Sequence, residues 1–137
     1  MRANHFLGLA LVLGSLGLAG CSDRVSLEGR VTFSDDGSPL SQGMVLFDDG
    51  QIMARGPIQS DGSYAVGVER ENDGIPKGTY RVSIVDAAEE IPPESEYVAP
   101  TYRKLIDEKY FLSETSGLEI TVDSSTRRFD IEVERAP

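Results

Sequence analysis

Val25-Ser26-Leu27-Glu28-Gly29-Arg30-Val31-Thr32-Phe33 alternates apolar or small residues with polar ones along its whole length. Successive side chains of an extended strand point to opposite faces. The pattern therefore puts Val25, Leu27, Gly29, Val31 and Phe33 against a core and leaves Ser26, Glu28, Arg30 and Thr32 to water. A helix would need its apolar residues three and four apart, which this stretch does not offer.

The same period recurs downstream, punctuated by turn chemistry. Asp35-Asp36-Gly37-Ser38-Pro39 is a turn cluster, and the strand predicted over residues 43–47 runs into Asp48-Asp49-Gly50, a compact hairpin signal. Residues 51–55 read as the returning strand. Ser60-Asp61-Gly62 then turns the chain into residues 63–68, where Tyr64, Val66 and Val68 share a face. A polar loop over 69–74 leads to residues 79–85, with Tyr80, Val82 and Ile84 on one side. The last two strands are predicted over 118–122 and 129–133, with Leu118, Ile120, Val122 and Phe129, Ile131, Val133 inward. About seven short strands separated by turns argue for an all-β sandwich.

Residues 86–116 break this rhythm as one long irregular insertion. It carries Tyr97, Tyr102, Tyr110 and Phe111, and 101–110 has the spacing of a helical turn or two with Tyr102, Leu105 and Ile106 inward. A loop of this length inside one small domain is a candidate for function.

Upstream of the first strand the chemistry changes. Arg2 precedes a short run of apolar and small residues from Phe6 to Gly20, the layout of a secretory leader and too glycine-rich for a spanning helix. It ends at Leu18-Ala19-Gly20-Cys21, which resembles the bacterial lipobox. The resemblance implies cleavage after residue 20 and acylation of Cys21, followed by a tether over 21–24 and one domain over 25–137. Several acyl chains, palmitate among them, anchor stably where one would not. Ser22 lacks the aspartate that resembles an inner-membrane retention signal, which favours the outer membrane, with the domain facing the periplasm or the exterior.

The whole chain has 13 Lys and Arg against 23 Asp and Glu, a formal charge of −10. Losing Arg2 with the leader makes the mature charge −11, so phosphate backbones are repelled and nucleic acid is not an expected partner. The only histidine, His5, leaves with the leader and the only cysteine is the lipid site. Ser-His-Asp, Cys-His and histidine-rich zinc chemistry are thereby excluded from the mature chain. The Asp-Gly dipeptides, Asp36 and Asp61 among them, suit β-turns better than calcium loops, since none has the spaced Asp-x-Asp-x-Asp-Gly form. The expectation is no catalytic residue, no metal and no cofactor.

These residues are similar to the small transthyretin-like, or carboxypeptidase regulatory-like, lipoproteins of Planctomycetes and related bacteria. The likeness rests on Leu27-Glu28-Gly29-Arg30-Val31-Thr32-Phe33, Asp36-Gly37-Ser38-Pro39-Leu40, Val45-Leu46-Phe47 and Ser60-Asp61-Gly62-Ser63-Tyr64. It continues through Ile75-Pro76-Lys77-Gly78-Thr79-Tyr80-Arg81-Val82 to Lys109-Tyr110 and Thr115-Ser116-Gly117-Leu118. Glu108-Lys109-Tyr110 replaces the proline-led version of that late motif. The resemblance implies a seven-stranded Greek-key sandwich of the prealbumin (transthyretin) type and no catalytic activity. Tyr80, placed after Gly78, resembles a tyrosine corner.

The expected role is that of a membrane-anchored structural, adhesion or accessory protein-binding module of the cell envelope, with an envelope protein as partner. Tyr97, Tyr102 and Tyr110 are candidates for a recognition surface, because aromatics with polar tips suit interfaces. Packing of at least two of the three against a sheet is the plainer expectation. Binding of carbohydrate or calcium, with Asp36 and Asp61 converging at one end, is the alternative. Oligomeric state is left open.

Overall fold

The computed structural model describes residues 24–137, so the leader, Cys21 and the first part of the tether lie outside the described residues. Val25, Leu27, Gly29, Val31 and Phe33 are all buried, as their alternation requires. The strands are β1 (Arg24–Val25), β2 (Glu28–Phe33), β3 (Met44–Asp48), β4 (Met53–Pro57), β5 (Ser63–Ala65), β6 (Ile75–Pro76), β7 (Gly78–Val85), β8 (Ala88–Ile91), β9 (Thr101–Lys104), β10 (Leu118–Val122) and β11 (Ile131–Val133). A single 3-10 turn spans Glu108–Phe111.

Seven of these strands make the sandwich, and they are the seven that the alternation marks. One sheet has the order β10-β7-β3-β4 and the other β11-β2-β5. Only β3–β4 and β7–β10 are joined within a sheet. The other connections between the seven cross from one sheet to the other, as a Greek key demands. The β11–β2 pair is parallel, with Ile131 opposite Val31 and Val133 opposite Phe33. Between the sheets lie Val31, Phe33, Tyr64, Ile131 and Val133 from one side and Val45, Phe47, Tyr80, Val82, Ile84 and Val122 from the other. Phe47 bridges the layers, its ring 6.2 Å from that of Tyr64 and 6.4 Å from that of Phe129.

Tyr80 behaves as its spacing from Gly78 anticipates. Its hydroxyl donates to the Pro76 carbonyl at 2.8 Å, so a fully buried ring keeps its polar tip satisfied. The strand predicted over 129–133 starts only at Ile131. The Asp130 carboxylate takes the Arg30 N–H at 3.0 Å, a donor that a ladder carbonyl would otherwise receive.

The long segment departs from expectation. No α-helix forms over 101–110. Residues Thr101–Lys104 instead pair antiparallel with Ala88–Ile91, and Asp107 then caps the 3-10 turn by accepting from Lys109 N at 3.0 Å. Tyr102, expected inward, is 64% exposed, while Ile106 is fully buried and Leu105 half-buried. The helical spacing of these three is incidental to a strand followed by a bend.

Topology sets the two ends of the domain. Arg24 pairs opposite Pro76, immediately before β7 begins. At the far end of β7 the β8–β9 ribbon leaves the sandwich and returns where Leu105 N donates to Ala87 O at 3.0 Å. Seven steps along an eight-residue strand separate these ends by about 23 Å. The ribbon therefore emerges at the end opposite the start of the domain.

Candidate functional site

The β8–β9 ribbon is the one element among the described strands that contributes almost nothing to the core. Glu89, Glu90 and Ile91 on β8 and all four residues of β9 are exposed, as is every residue of the connecting loop 92–100. An isolated two-stranded ribbon is marginal in water. This one is tied at its root by Gln42, whose amide donates to Ala88 O, and by the Leu105–Ala87 bond. Across the ladder Glu89 faces Arg103 and forms an ion pair with it, while Lys104 reaches Glu108 at 3.2 Å. Such exposed pairs contribute little stability and mainly fix orientation.

The ribbon and its loop hold most of the large apolar side chains left in water. Tyr97 is 89% exposed, and Val98, Tyr102 and Ile91 are also open to solvent. At the ribbon root a cleft of about 500 Å³ is lined by Tyr102, Arg103, Lys104, Ile106 and Pro137. Tyr110 is placed elsewhere. It is buried in the core, its hydroxyl accepts from Glu134 N at 3.2 Å, and Lys109 Nζ lies 5.1 Å from its ring. The three tyrosines thus do not form one surface. Tyr97 lies in the connecting loop and Tyr102 on β9, and of the three only Tyr110, beside Ile106, packs the segment onto the sandwich, where two were expected to. Ile91 and Val98 were not among the candidates, although their setting among prolines and glutamates is visible in the sequence.

The Asp-Gly turns are occupied by their own backbone. Asp36 Oδ1 accepts from Ser38 N and Ser38 Oγ at 2.9 and 2.6 Å, and its Oδ2 receives Arg135 Nη2 at 3.0 Å. Asp61 Oδ1 likewise accepts from Ser63 N at 3.0 Å, with Arg30 3.8 Å from its other oxygen. The two turns adjoin, since the Gly62 carbonyl receives Val31 N and a side chain at Gly62 would meet Pro39. Each carboxylate nevertheless points to its own serine and arginine. The described residues hold no histidine or cysteine and no cluster of three metal-ligating side chains. A depression of about 460 Å³ on the outer face of the four-stranded sheet is polar. Arg81 lies there opposite Asp48 and Glu119, with no nucleophile paired to a base.

The turn carboxylates make stability pH-dependent. Hydrogen bonds from the Ser38 hydroxyl and amide, helped by Arg135, hold Asp36 down at about 2 against an ordinary 3.8. Asp61 and Asp123 are lowered by the same serine geometry. A group depressed in the folded state stabilises fully above its unfolded value and loses that contribution as pH falls through the folded one. The thermal midpoint is expected to fall between about pH 4 and about pH 2, and Asp36→Asn to flatten that slope. A profile unchanged by Asp36→Asn would show that this carboxylate does not couple to folding.

No helix among the described residues is long and apolar enough to cross a membrane. No family model matches the chain. No curated protein matches it in sequence. Among solved structures it is similar to the major pilin subunit BcpA of Bacillus cereus, at 14% identity and a TM-score of 0.50. That alignment covers 83% of this chain and 30% of the pilin. A DUF3823 family protein from Bacteroides ovatus aligns at 22% identity and a TM-score of 0.44 over 82% of this chain and 45% of the other. The chain thus spans less than half the length of either neighbour, and the pilin likeness establishes a shared β-sandwich fold.

Proposed function

We propose that this chain is a lipid-anchored envelope protein of the transthyretin-like lipoprotein type. Its non-catalytic sandwich acts as a structural, adhesion or accessory protein-binding module. The observation that carries this reading is the exposed ribbon, with Ile91, Tyr97, Val98 and Tyr102 in water at the end opposite Arg24. With lipid on Cys21, only three residues upstream, the sandwich would stand on the membrane by its Arg24 end and hold the ribbon away from it. Large apolar and aromatic side chains held in water on a protruding element favour a binding role.

One experiment addresses both halves. The full chain is expressed in a bacterial envelope as wild type, Cys21→Ser, and Tyr97→Ser with Tyr102→Ser. Each is fractionated, crosslinked and weighed by mass spectrometry. Wild type is expected in the membrane fraction with an acylated Cys21 at its N-terminus, and Cys21→Ser is expected to lose nearly all membrane retention. The tyrosine variant should stay anchored and folded yet lose most crosslinked protein. An unmodified Cys21 in the membrane-bound chain would overturn the anchoring. Undiminished crosslinking without the two tyrosines would overturn the binding role.

A further inference from the structure

Three of the four outer strands of the sandwich have partners on their far sides. β4 and β5 close each other, since Arg55 and Gly67 exchange both backbone hydrogen bonds at 2.9 and 3.0 Å and Gln59 N donates to Ser63 O at 2.9 Å. β11 is three residues long, and its far side is taken at Glu134 by Asp107 N and the Tyr110 hydroxyl. β10 is left as the open edge of the four-stranded sheet. Backbone direction alternates along a strand, and the Arg55–Gly67 pair fixes its phase. Arg55 points out of the sheet, so Ala54 and Gly56 point to β3, Leu46 and Asp48 to β7, and Tyr80 and Val82 to β10. Leu118 and Ile120 therefore bond to β7, and the N–H and C=O of Glu119 and Thr121 face away from the sheet. Among the described residues only the Thr126 hydroxyl approaches these groups, 3.5 Å from Thr121 O. Edge strands are commonly blunted by lysine, proline or a bulge. Leu118-Glu119-Ile120-Thr121-Val122 has neither residue, and its register with β7 is unbroken. Its inward side chains Leu118 and Ile120 are only half-buried, while Val82 and Tyr80 opposite them are fully buried. The core is unfinished along this edge.

We propose that the β10 edge takes up an extended basic segment of another protein as a fifth strand, its apolar side chains inward and its cations outward. Charge selects this occupant. Glu119 on β10 and Asp123 just after it are exposed, with Thr121 between them, so the edge offers carboxylates four residues apart. The chain carries −10 overall, which opposes a second copy and attracts a cationic segment. Apolar side chains on the other face of the added strand would cover Leu118 and Ile120. Main-chain bonds then supply affinity and the alternating side chains supply specificity. The ladder is short. Glu119 N, Glu119 O and Thr121 N offer three bonds before a turn closes the end, where Asp123 N donates to Thr126 Oγ1 at 3.0 Å and Thr126 N to Asp123 O at 3.2 Å. Weak, exchangeable binding follows rather than a permanent join. The edge lies on the body of the sandwich, so this contact adds to the binding role proposed above and rests on neither the ribbon nor the lipid.

The probe is the acetylated and amidated peptide Val-Lys-Val-Thr-Val-Lys-Val, titrated onto the full chain in mild detergent and followed by amide hydrogen exchange. At saturation the amides of Glu119 and Thr121 are expected to slow about tenfold, as one hydrogen bond gained by each requires. The amide of Ile120, already bonded to β7, should not change. Thr121→Pro removes a donor that faces away from β7, so it spares the sheet and should weaken binding about tenfold. Glu119→Lys should weaken the peptide about fivefold and allow the same peptide with glutamate in place of lysine to bind instead. That gain separates lost recognition from lost folding. Tyr97→Ser with Tyr102→Ser should bind the basic peptide as the wild type does. Loss of binding in that variant would place the site on the ribbon and overturn the assignment to β10. No binding at millimolar peptide, protection at amides other than Glu119 and Thr121, or equal affinity for the acidic peptide would each overturn the inference. So would a dimer of the chain that Thr121→Pro dissolves, because the edge would then belong to a second copy.

Discussion

Gly29→Ala is expected to remove about 3 kcal/mol of folding stability, a large part of what a domain of this size possesses. Gly29 occupies an inward position of β2 and pairs opposite Tyr64 on β5. A methyl group there would fall far inside contact distance of the Phe129 carbonyl and 2.8 Å from the Tyr64 hydroxyl. Neither neighbour can retreat cheaply. Phe129 N is bonded to Glu28 O at 2.9 Å, and the Phe129 carbonyl accepts from the Tyr64 hydroxyl. Gly37→Ala makes the useful control. Gly37 has a φ of +72° in a turn with open space around it, so alanine there costs only the left-handed backbone, about 1–2 kcal/mol. Urea unfolding of the three proteins measures both effects. If Gly29→Ala costs less than Gly37→Ala, the close approach of β2 and the 129 backbone is not what holds this corner.

The contrast between these glycines shows what the sequence could reveal. Asp-Gly turns declare their glycines through local chemistry, whereas Gly29 looks like an ordinary member of an alternating strand. Its smallness answers to a carbonyl a hundred residues away. The seven sandwich strands were legible because each carries its own period-two pattern, and Tyr80 because glycine lies two residues before it. The ribbon was not legible. Its strands are too short and too exposed to alternate between core and water, and their pairing spans a loop rich in proline. Arg24 and Asp73 were missed for a related reason. Asp73 accepts Val68 N, Glu69 N and Arg70 N at 2.7, 3.2 and 3.1 Å and Arg24 Nη1 at 2.8 Å, which closes the polar loop against the first strand. In the sequence it is one more aspartate before a glycine. For the candidate site, Tyr97 and Tyr102 were identifiable as aromatics in a long insertion. Which tyrosine would be buried depended on the bond from Glu134 N to Tyr110, a contact between distant segments.

Tyr64 should show the second large effect, and two substitutions separate its causes. Tyr64→Ala empties a ring that is only 2% exposed and packs against Phe47, so about 3–5 kcal/mol is expected to be lost. Tyr64→Phe keeps the ring and leaves the half-buried Phe129 carbonyl without its donor, at a cost of about 1 kcal/mol. Burial and the nearby Asp130 push the phenol far above its ordinary range, so it remains a donor at every pH at which the domain is folded. Gly29→Ala displaces the same carbonyl and thereby breaks the same hydrogen bond. The double variant Gly29→Ala with Tyr64→Phe should consequently cost less than the sum of the two, by about 1 kcal/mol. Simple additivity would mean that the bond survives the added methyl. A cost for Tyr64→Phe near zero would mean that water replaces the hydroxyl at the Phe129 carbonyl, and that the backbone ladders and packing join β2, β5 and the approach to β11 without help from this bond.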